Sequence, residues 1–246
     1  MNMMIYGLQR AGTNYTEAVI LENFKDVRFL NEHFPDCLPT QKHFRLYDEK
    51  FIIPSLQFQN NFHFPSFKQF DEKVEELTQQ KDLKYVVVVK NPYAWYQSFM
   101  RLANRTKHIT YRKKHINGHF VIDWNLFHSK WLSFFNECPE KIELVKYEDL
   151  VKDFDGTMKA LENKFGLKSI HPEYFNPKSV GMSRKFTKKR NTYYKGKAYL
   201  ADLHPTYIRV ISELLDKSLM ERFDYEWIQV EPTYEYQNNY VPKSIS

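Results

Sequence analysis

The run Tyr85-Val86-Val87-Val88-Val89 constrains this chain more than any other short segment. It is apolar throughout and does not alternate with polar residues. A strand of that kind is covered on both faces, as in a parallel sheet flanked by helices. Asn91-Pro92 follows it, and Pro92 suits the first turn of a helix running to about Ala103.

The rest of the chain repeats the pattern. Met3-Met4-Ile5-Tyr6 predicts a short buried strand ending at Gly7, and Thr13 to Phe24 a helix with Ala18, Val19 and Leu21 on its apolar side. Val27 to Leu30 fits a second strand. Pro35, Pro39, Pro54 and Pro65 punctuate an aromatic-rich stretch over 31–66, expected as loops with short elements. Helices are expected over Phe67–Gln80, Asp123–Cys138, about Phe154–Phe165 and about Pro205–Met220, and a strand over Ile142–Val145. Residues 104–119 are basic and polar and predict a loop, and residues 176–198 are polar and basic. Strand and helix alternate, which implies an α/β fold: a doubly wound, mostly parallel sheet with helices on both faces. No repeat, linker or composition break divides the chain, so one domain over 1–246 is expected.

At 246 residues and 42% hydrophobic, the chain can bury a sizeable core. No stretch approaches the ~20 apolar residues of a membrane span. The strand pattern starts within the first residues, so no secretory leader is expected. Two cysteines, Cys37 and Cys138, form no disulfide framework and suit a reducing, cytoplasmic compartment. No Cys/His cluster has zinc spacing, so no metal is expected. The net charge of +6, from 36 basic and 30 acidic residues, favours anionic ligands without singling out nucleic acid.

The segment Gly7-Leu8-Gln9-Arg10-Ala11-Gly12-Thr13-Asn14 joins the first strand to the first helix. Its glycines let backbone N–H groups turn inward, and the helix N-terminus adds unpaired donors and a positive dipole end. Arg10 supplies a cation and Thr13 a hydroxyl. The G-x-x-x-x-G spacing is that of a nucleotide-triphosphate P-loop, but Thr13-Asn14 stands where Lys-[Ser/Thr] should follow. The loop suits an anion and suits Mg-ATP poorly.

These residues resemble the PAPS-dependent sulfotransferase family, whose donor is 3′-phosphoadenosine-5′-phosphosulfate and whose first loop reads roughly Pro-Lys-Ser-Gly-Thr-Thr-Trp. Gln9-Arg10-Ala11-Gly12-Thr13-Asn14-Tyr15 is similar to it. Gly12 and Thr13 match, Arg10 keeps the lysine's charge, and Ala11 lacks the serine hydroxyl. Asn14 can hydrogen-bond an anion, and Tyr15 replaces a tryptophan that stacks on adenine. Lys90-Asn91-Pro92 with Ser98 resembles the family's Arg-Asn-Pro and its serine eight residues beyond the arginine. The resemblance implies that Lys90 and Ser98 bind the 3′-phosphate. Lys146-Tyr147-Glu148-Asp149-Leu150 resembles the Tyr-Glu-Asp turn, with Tyr147 beside the adenine. Lys195-Gly196 resembles the Arg-Lys-Gly loop that closes over the 3′-phosphate; the run Arg184 to Arg190 can fill that role instead.

The resemblance implies a P-loop-like fold and sulfuryl transfer from PAPS to an acceptor hydroxyl, with release of PAP (the 3′,5′-bisphosphate product). Carbohydrate, lipid, small-phenol and protein tyrosine hydroxyls all remain open as acceptors. Such transfer depends on positioning and electrostatics, with Arg10 able to stabilise the leaving phosphate. His43, in Gln41-Lys42-His43-Phe44, is the candidate base, and His33 the runner-up. Lys42 is a candidate contact for the sulfuryl oxygens. Phe58, Phe62, Phe64 and Phe67 either wall an acceptor pocket or pack in the core. Arg101, Arg105, Lys107, Arg112, Lys113 and Lys114 either face a polyanionic acceptor or form a solvated lid. The competing functions are a P-loop nucleotide kinase and a non-catalytic nucleotide or nucleic-acid binder, for which no recognisable module is present.

Overall fold

The computed structural model describes residues 1–32, 38–46, 62–106, 119–177 and 188–229. Four strands form its sheet: β1 (Asn2–Tyr6), β2 (Arg28–Phe29), β3 (Lys84–Val89) and β4 (Ile142–Lys146). All pairings are parallel, in the order β2-β1-β3-β4. Tyr6 lies opposite Val87, and Val87 opposite Leu144. Successive strand side chains point to opposite faces. Tyr85 through Val89 are all fully buried, so both faces are covered, as the unalternating run requires.

Helices α1 (Thr13–Asn23), α2 (Phe67–Thr78), α3 (Pro92–Thr106), α4 (His119–Glu137) and α6 (Phe154–Phe165) occupy the expected stretches. In α1 the buried side differs from the expected one: Tyr15, Thr16, Val19, Ile20 and Asn23 are buried, Ala18 is half-buried and Leu21 is exposed. In α2, Phe67, Phe70 and Val74 bury one stripe, and the Ser66 hydroxyl accepts the Gln69 N–H at its N-terminus. Asn91 caps α3 in the same way: its Oδ1 accepts from Tyr93 N at 3.1 Å and Ala94 N at 3.4 Å, with Pro92 in the first turn. Phe70 is the centre of the core beside β1 and β3. The rings of Tyr6, Phe44, Phe64, Phe67, Tyr85, Trp131 and Phe134 pack around it.

Of the two readings open for the phenylalanines, Phe64 and Phe67 take core packing, and Phe62 stacks on Phe64 at 6.0 Å. Phe58 lies outside the described residues. Tyr147 opens a short helix, α5 (Tyr147–Lys152), where a turn was expected. Within the polar 176–198 stretch, α7 (Lys188–Lys195) is helical. The late helix is two helices, α8 (Pro205–Leu214) and α9 (Lys217–Arg222). Asp216 divides them, its Oδ1 accepting from Ser218 N at 2.9 Å and Leu219 N at 3.3 Å, an N-cap that starts a new helix. Among the described residues no helix is long and apolar enough to cross a membrane.

His128 of α4 lies in the core between the rings of Trp124, Phe127 and Phe223. Its Nδ1 donates to the Trp124 carbonyl at 2.7 Å, and its Nε2 is buried without a partner among the described residues. Burial pushes the imidazole down to about 3. The folded state therefore holds the neutral ring, and that stability is lost as pH falls below the unfolded value of about 6.5 towards 3. Relative to His128→Leu, the wild type should lose up to about 1.4 kcal/mol per pH unit below that point. Urea denaturation from pH 7 to 4.5 measures this. A difference between the two proteins that stays constant with pH would contradict it.

Candidate active site

The sheet order reverses between β1 and β3: β2 lies on one side of β1, and β3 on the other. Open α/β sheets bind ligands outside the carboxyl ends of strands at such a reversal. The loops after β1 (residues 7–12) and β3 (residues 90–91) both emerge there.

Two glycines give the first loop its shape. A Cβ on Gly7 would lie 2.7 Å from Thr13 Cγ2 and 3.1 Å from the Val88 carbonyl. Gly12 has φ +113°, and a Cβ there would lie 2.4 Å from the Tyr147 ring. Gly12 is also the N-cap of α1, so no side chain caps that helix, and its first turn carries no acidic residue. Uncapped amides at the positive end of the helix dipole form an anion-binding geometry. Arg10, in the left-handed region at φ 72°, is exposed beside it. Buried Lys42 brings a second cation, its Nζ 3.0 Å from Asn14 Oδ1 and 3.1 Å from Glu17 Oε2.

Lys90, the first residue after β3, is only 3% exposed. Its Nζ donates to Tyr194 OH at 3.0 Å and lies 3.4 Å from the Arg10 carbonyl, so it ties the two loops together. It also sits 4.8 Å and 4.6 Å from the ring centroids of Tyr147 and Tyr194, within cation–π range. Glu148 accepts from Asn91 N at 3.2 Å and from Tyr225 OH at 2.9 Å. Burial pushes its carboxyl up, opposed by the Lys90 charge. A cavity of about 400 Å³ adjoins this loop, lined by Asn91, Lys146, Glu148, Tyr194, Tyr199 and Tyr225 among others.

The segment that carries His43 is bonded to the first loop. Gly7 N donates to the Lys42 carbonyl at 3.1 Å, and His43 Nδ1 lies 2.7 Å from the Gly7 carbonyl. A carbonyl only accepts, so Nδ1 carries the proton of the neutral ring and Nε2 the lone pair. Arg45 binds Asp123 of α4 through two parallel contacts, Nε to Oδ1 at 3.1 Å and Nη2 to Oδ2 at 3.0 Å. It also donates to the His43 carbonyl at 2.5 Å and to Gln9 Oε1 at 2.6 Å. Burial pushes the Asp123 carboxyl up, and the guanidinium beside it opposes that rise. Indole N–H groups hold both loops: Trp95 donates to the Gln9 carbonyl at 2.8 Å, and Trp124 to the Lys90 carbonyl at 3.0 Å.

The family model of the sulfotransferase domain matches residues 1–202. The chain belongs to the sulfotransferase domain family. The solved structure of mouse sulfotransferase SULT7A1 complexed with PAP covers 91% of this sulfotransferase-family chain, and the match spans 85% of its own, at 14% identity and a TM-score of 0.50. That likeness is one of fold. The sulfotransferase domain of the Synechococcus PCC 7002 olefin synthase covers 67% of this chain, with 57% of its own spanned, at 19% identity and a TM-score of 0.40. No curated protein matches the chain by sequence.

The structure brings most of the sequence-selected residues of this family member to one edge of the sheet. Ala11 is buried in the loop, and Thr13 in the first turn of α1. Tyr15 is buried, its ring edge-on to Tyr147 at 6.2 Å and its hydroxyl donating to Asn176 at 2.9 Å; burial pushes that phenol up to about 12. Ser98 is half-buried on α3. From α7 it is Tyr194 that meets Lys90, while Lys195 and Gly196 are exposed at the helix end. Arg101 pairs with Asp202 at 2.8 Å. His33, Lys107, Arg112, Lys113, Lys114 and residues 184–187 lie outside the described residues, as do the side chains of Arg105 and of residues 188–190. Sequence reasoning missed Arg45, Asp123, Glu17, Tyr194 and the two tryptophans. Their partners are remote in the chain, and no local spacing signals them.

Gly12→Ala combines a left-handed φ with overlap of the Tyr147 ring. It should destabilise the protein by roughly 1–3 kcal/mol, measured by urea denaturation. A loss below about 0.5 kcal/mol, the range of a neutral surface change, would contradict the close packing of loop and ring.

Proposed function

We propose that this sulfotransferase-domain protein takes PAPS as donor, transfers its sulfuryl group to an acceptor hydroxyl and releases PAP. The observation that supports this reading is the pairing of two anion-ready features. The uncapped N-terminus of α1 lies on one loop and the buried Lys90 on the next, joined through the Arg10 carbonyl. PAPS carries phosphates at two places, and a fold neighbour, the mouse sulfotransferase, holds PAP in its structure. A nucleotide kinase needs the P-loop lysine and hydroxyl that Thr13-Asn14 does not supply.

The residues present fit the donor. The Thr13 and Asn14 amides and the Arg10 side chain would hold the 5′ end. Lys90, with Ser98 on the following helix, would hold the 3′-phosphate. Tyr15 and Tyr147 offer aromatic surface beside the loop for the adenine. When bound, PAPS supplies an activated sulfuryl group whose transfer spreads negative charge over its oxygens. Cations at Arg10 and at the buried, paired Lys42 would stabilise that charge. His43 would take the acceptor's proton on Nε2, the nitrogen that carries the lone pair when Nδ1 donates to Gly7.

PAP should protect the fold more than ADP, because only PAP carries a 3′-phosphate. Ligand at about 100 times its Kd adds ~2.7 kcal/mol, which for a chain of this size is roughly 5–10 °C in Tm. Lys90→Met keeps the stem between the two tyrosine rings and removes the charge. It should abolish the extra protection by PAP, weakening PAP about ten- to a hundredfold, and leave that by ADP unchanged. Thermal-shift titrations with both nucleotides measure this. Equal protection by PAP and ADP in the wild type would contradict the donor assignment. Full PAP protection in Lys90→Met would contradict the role of the lysine.

A further inference from the structure

Arg45 and Asp123 form a fully buried ion pair beside the site, with side chains 1% and 0% exposed. Such a pair is weak as a stabiliser, because desolvating two ions costs several kcal/mol and apolar replacements are often neutral or better. Its geometry suggests another role. One planar guanidinium reaches three separate parts of the chain: Asp123 on α4, the carbonyl of His43, and the side chain of Gln9 in the first loop. A lysine ammonium has no planar fork with which to hold these acceptors in fixed relative positions.

The surrounding bonds make the segment around His43 and the first loop one unit. Gly7 bonds both Lys42 and His43, and the Gln9 carbonyl is fixed from α3 by Trp95. Arg45 adds the outer tie, and Asp123 anchors it to a helix that contributes Trp124 to Lys90. We infer that Arg45 and Asp123 are positioning residues: they fix the His43 imidazole relative to the anion-binding loop. This rests on the reading of His43 as the base. A displacement of about 1 Å at such a group can cost on the order of 10²-fold in rate.

The test replaces the pair by apolar residues, Arg45→Met with Asp123→Leu, and uses Arg45→Lys as a second variant if the first does not fold. PAP release from labelled PAPS is followed with an acceptor mixture of a phenol, a disaccharide and a tyrosyl peptide. PAP affinity and Tm are measured beside it. Turnover should fall on the order of 10²-fold, with PAP affinity within about threefold and Tm nearly unchanged. In a His43→Ala background the same replacement should cost no further turnover, because the group being positioned is gone. Wild-type turnover in the pair variants overturns the inference, as does a joint loss of turnover, PAP affinity and Tm. So does a full additional loss in the His43→Ala background when His43→Ala itself lowers turnover, an outcome that leaves the base reading standing. Wild-type turnover in His43→Ala removes the base reading, and the inference with it.

Discussion

The parallel pairing of β1 with β3 is the constraint on which the site depends. It sets Met3 opposite Lys84 and Tyr6 opposite Val87, so both strands end at the same edge. Because β2 is on the far side of β1, the two following connections leave in opposite directions and a crevice opens between them. Everything chemical is hung from those two ends. Gly12 lets Tyr147 pack on the first loop, and Lys90 bonds the Arg10 carbonyl across the gap. The third contributor, the segment around His43, joins the same edge through Gly7.

The electrostatics of this edge follow from burial. Lys42, Arg45, Lys90, Asp123 and Glu148 are all buried, a costly set of charges for a fold of this size. Each has a named partner. Lys42 has Asn14 and Glu17, Arg45 has Asp123, and Lys90 lies in the field of Glu148 with two tyrosine rings around it. A buried and paired cation is already oriented when an anion arrives, which is what stabilising a charged transition state requires. Away from the edge, His128, deep in the aromatic core, is held neutral.

Much of this was legible in the sequence where the signal is local. The valines of β3 announced a strand buried on both faces, Asn91-Pro92 marked the start of α3, and Gly7 and Gly12 marked a tight turn between strand and helix. What was illegible depends on distance or on short elements. Nothing around Arg45 indicates a carboxylate 78 positions away. The six residues of α5 are too few for a 3.6-residue period to emerge, so Tyr147 read as part of a turn. The break at Asp216 is one cap inside a long apolar period, and the period won the reading. The aromatics Phe64 and Phe67 were ambiguous for a different reason: composition does not say which side of a sheet a phenylalanine faces.

The proposed function requires that this edge move a sulfuryl group and not a phosphoryl group. Parallel assays with PAPS carrying labelled sulfur and ATP carrying a labelled terminal phosphate, each against the same panel of phenol, carbohydrate, lipid and tyrosyl acceptors, test it most directly. Label should appear on an acceptor from PAPS, inhibited by added PAP, and none from ATP even with magnesium present. Transfer from ATP that needs magnesium, with PAPS inert across the panel, would contradict it.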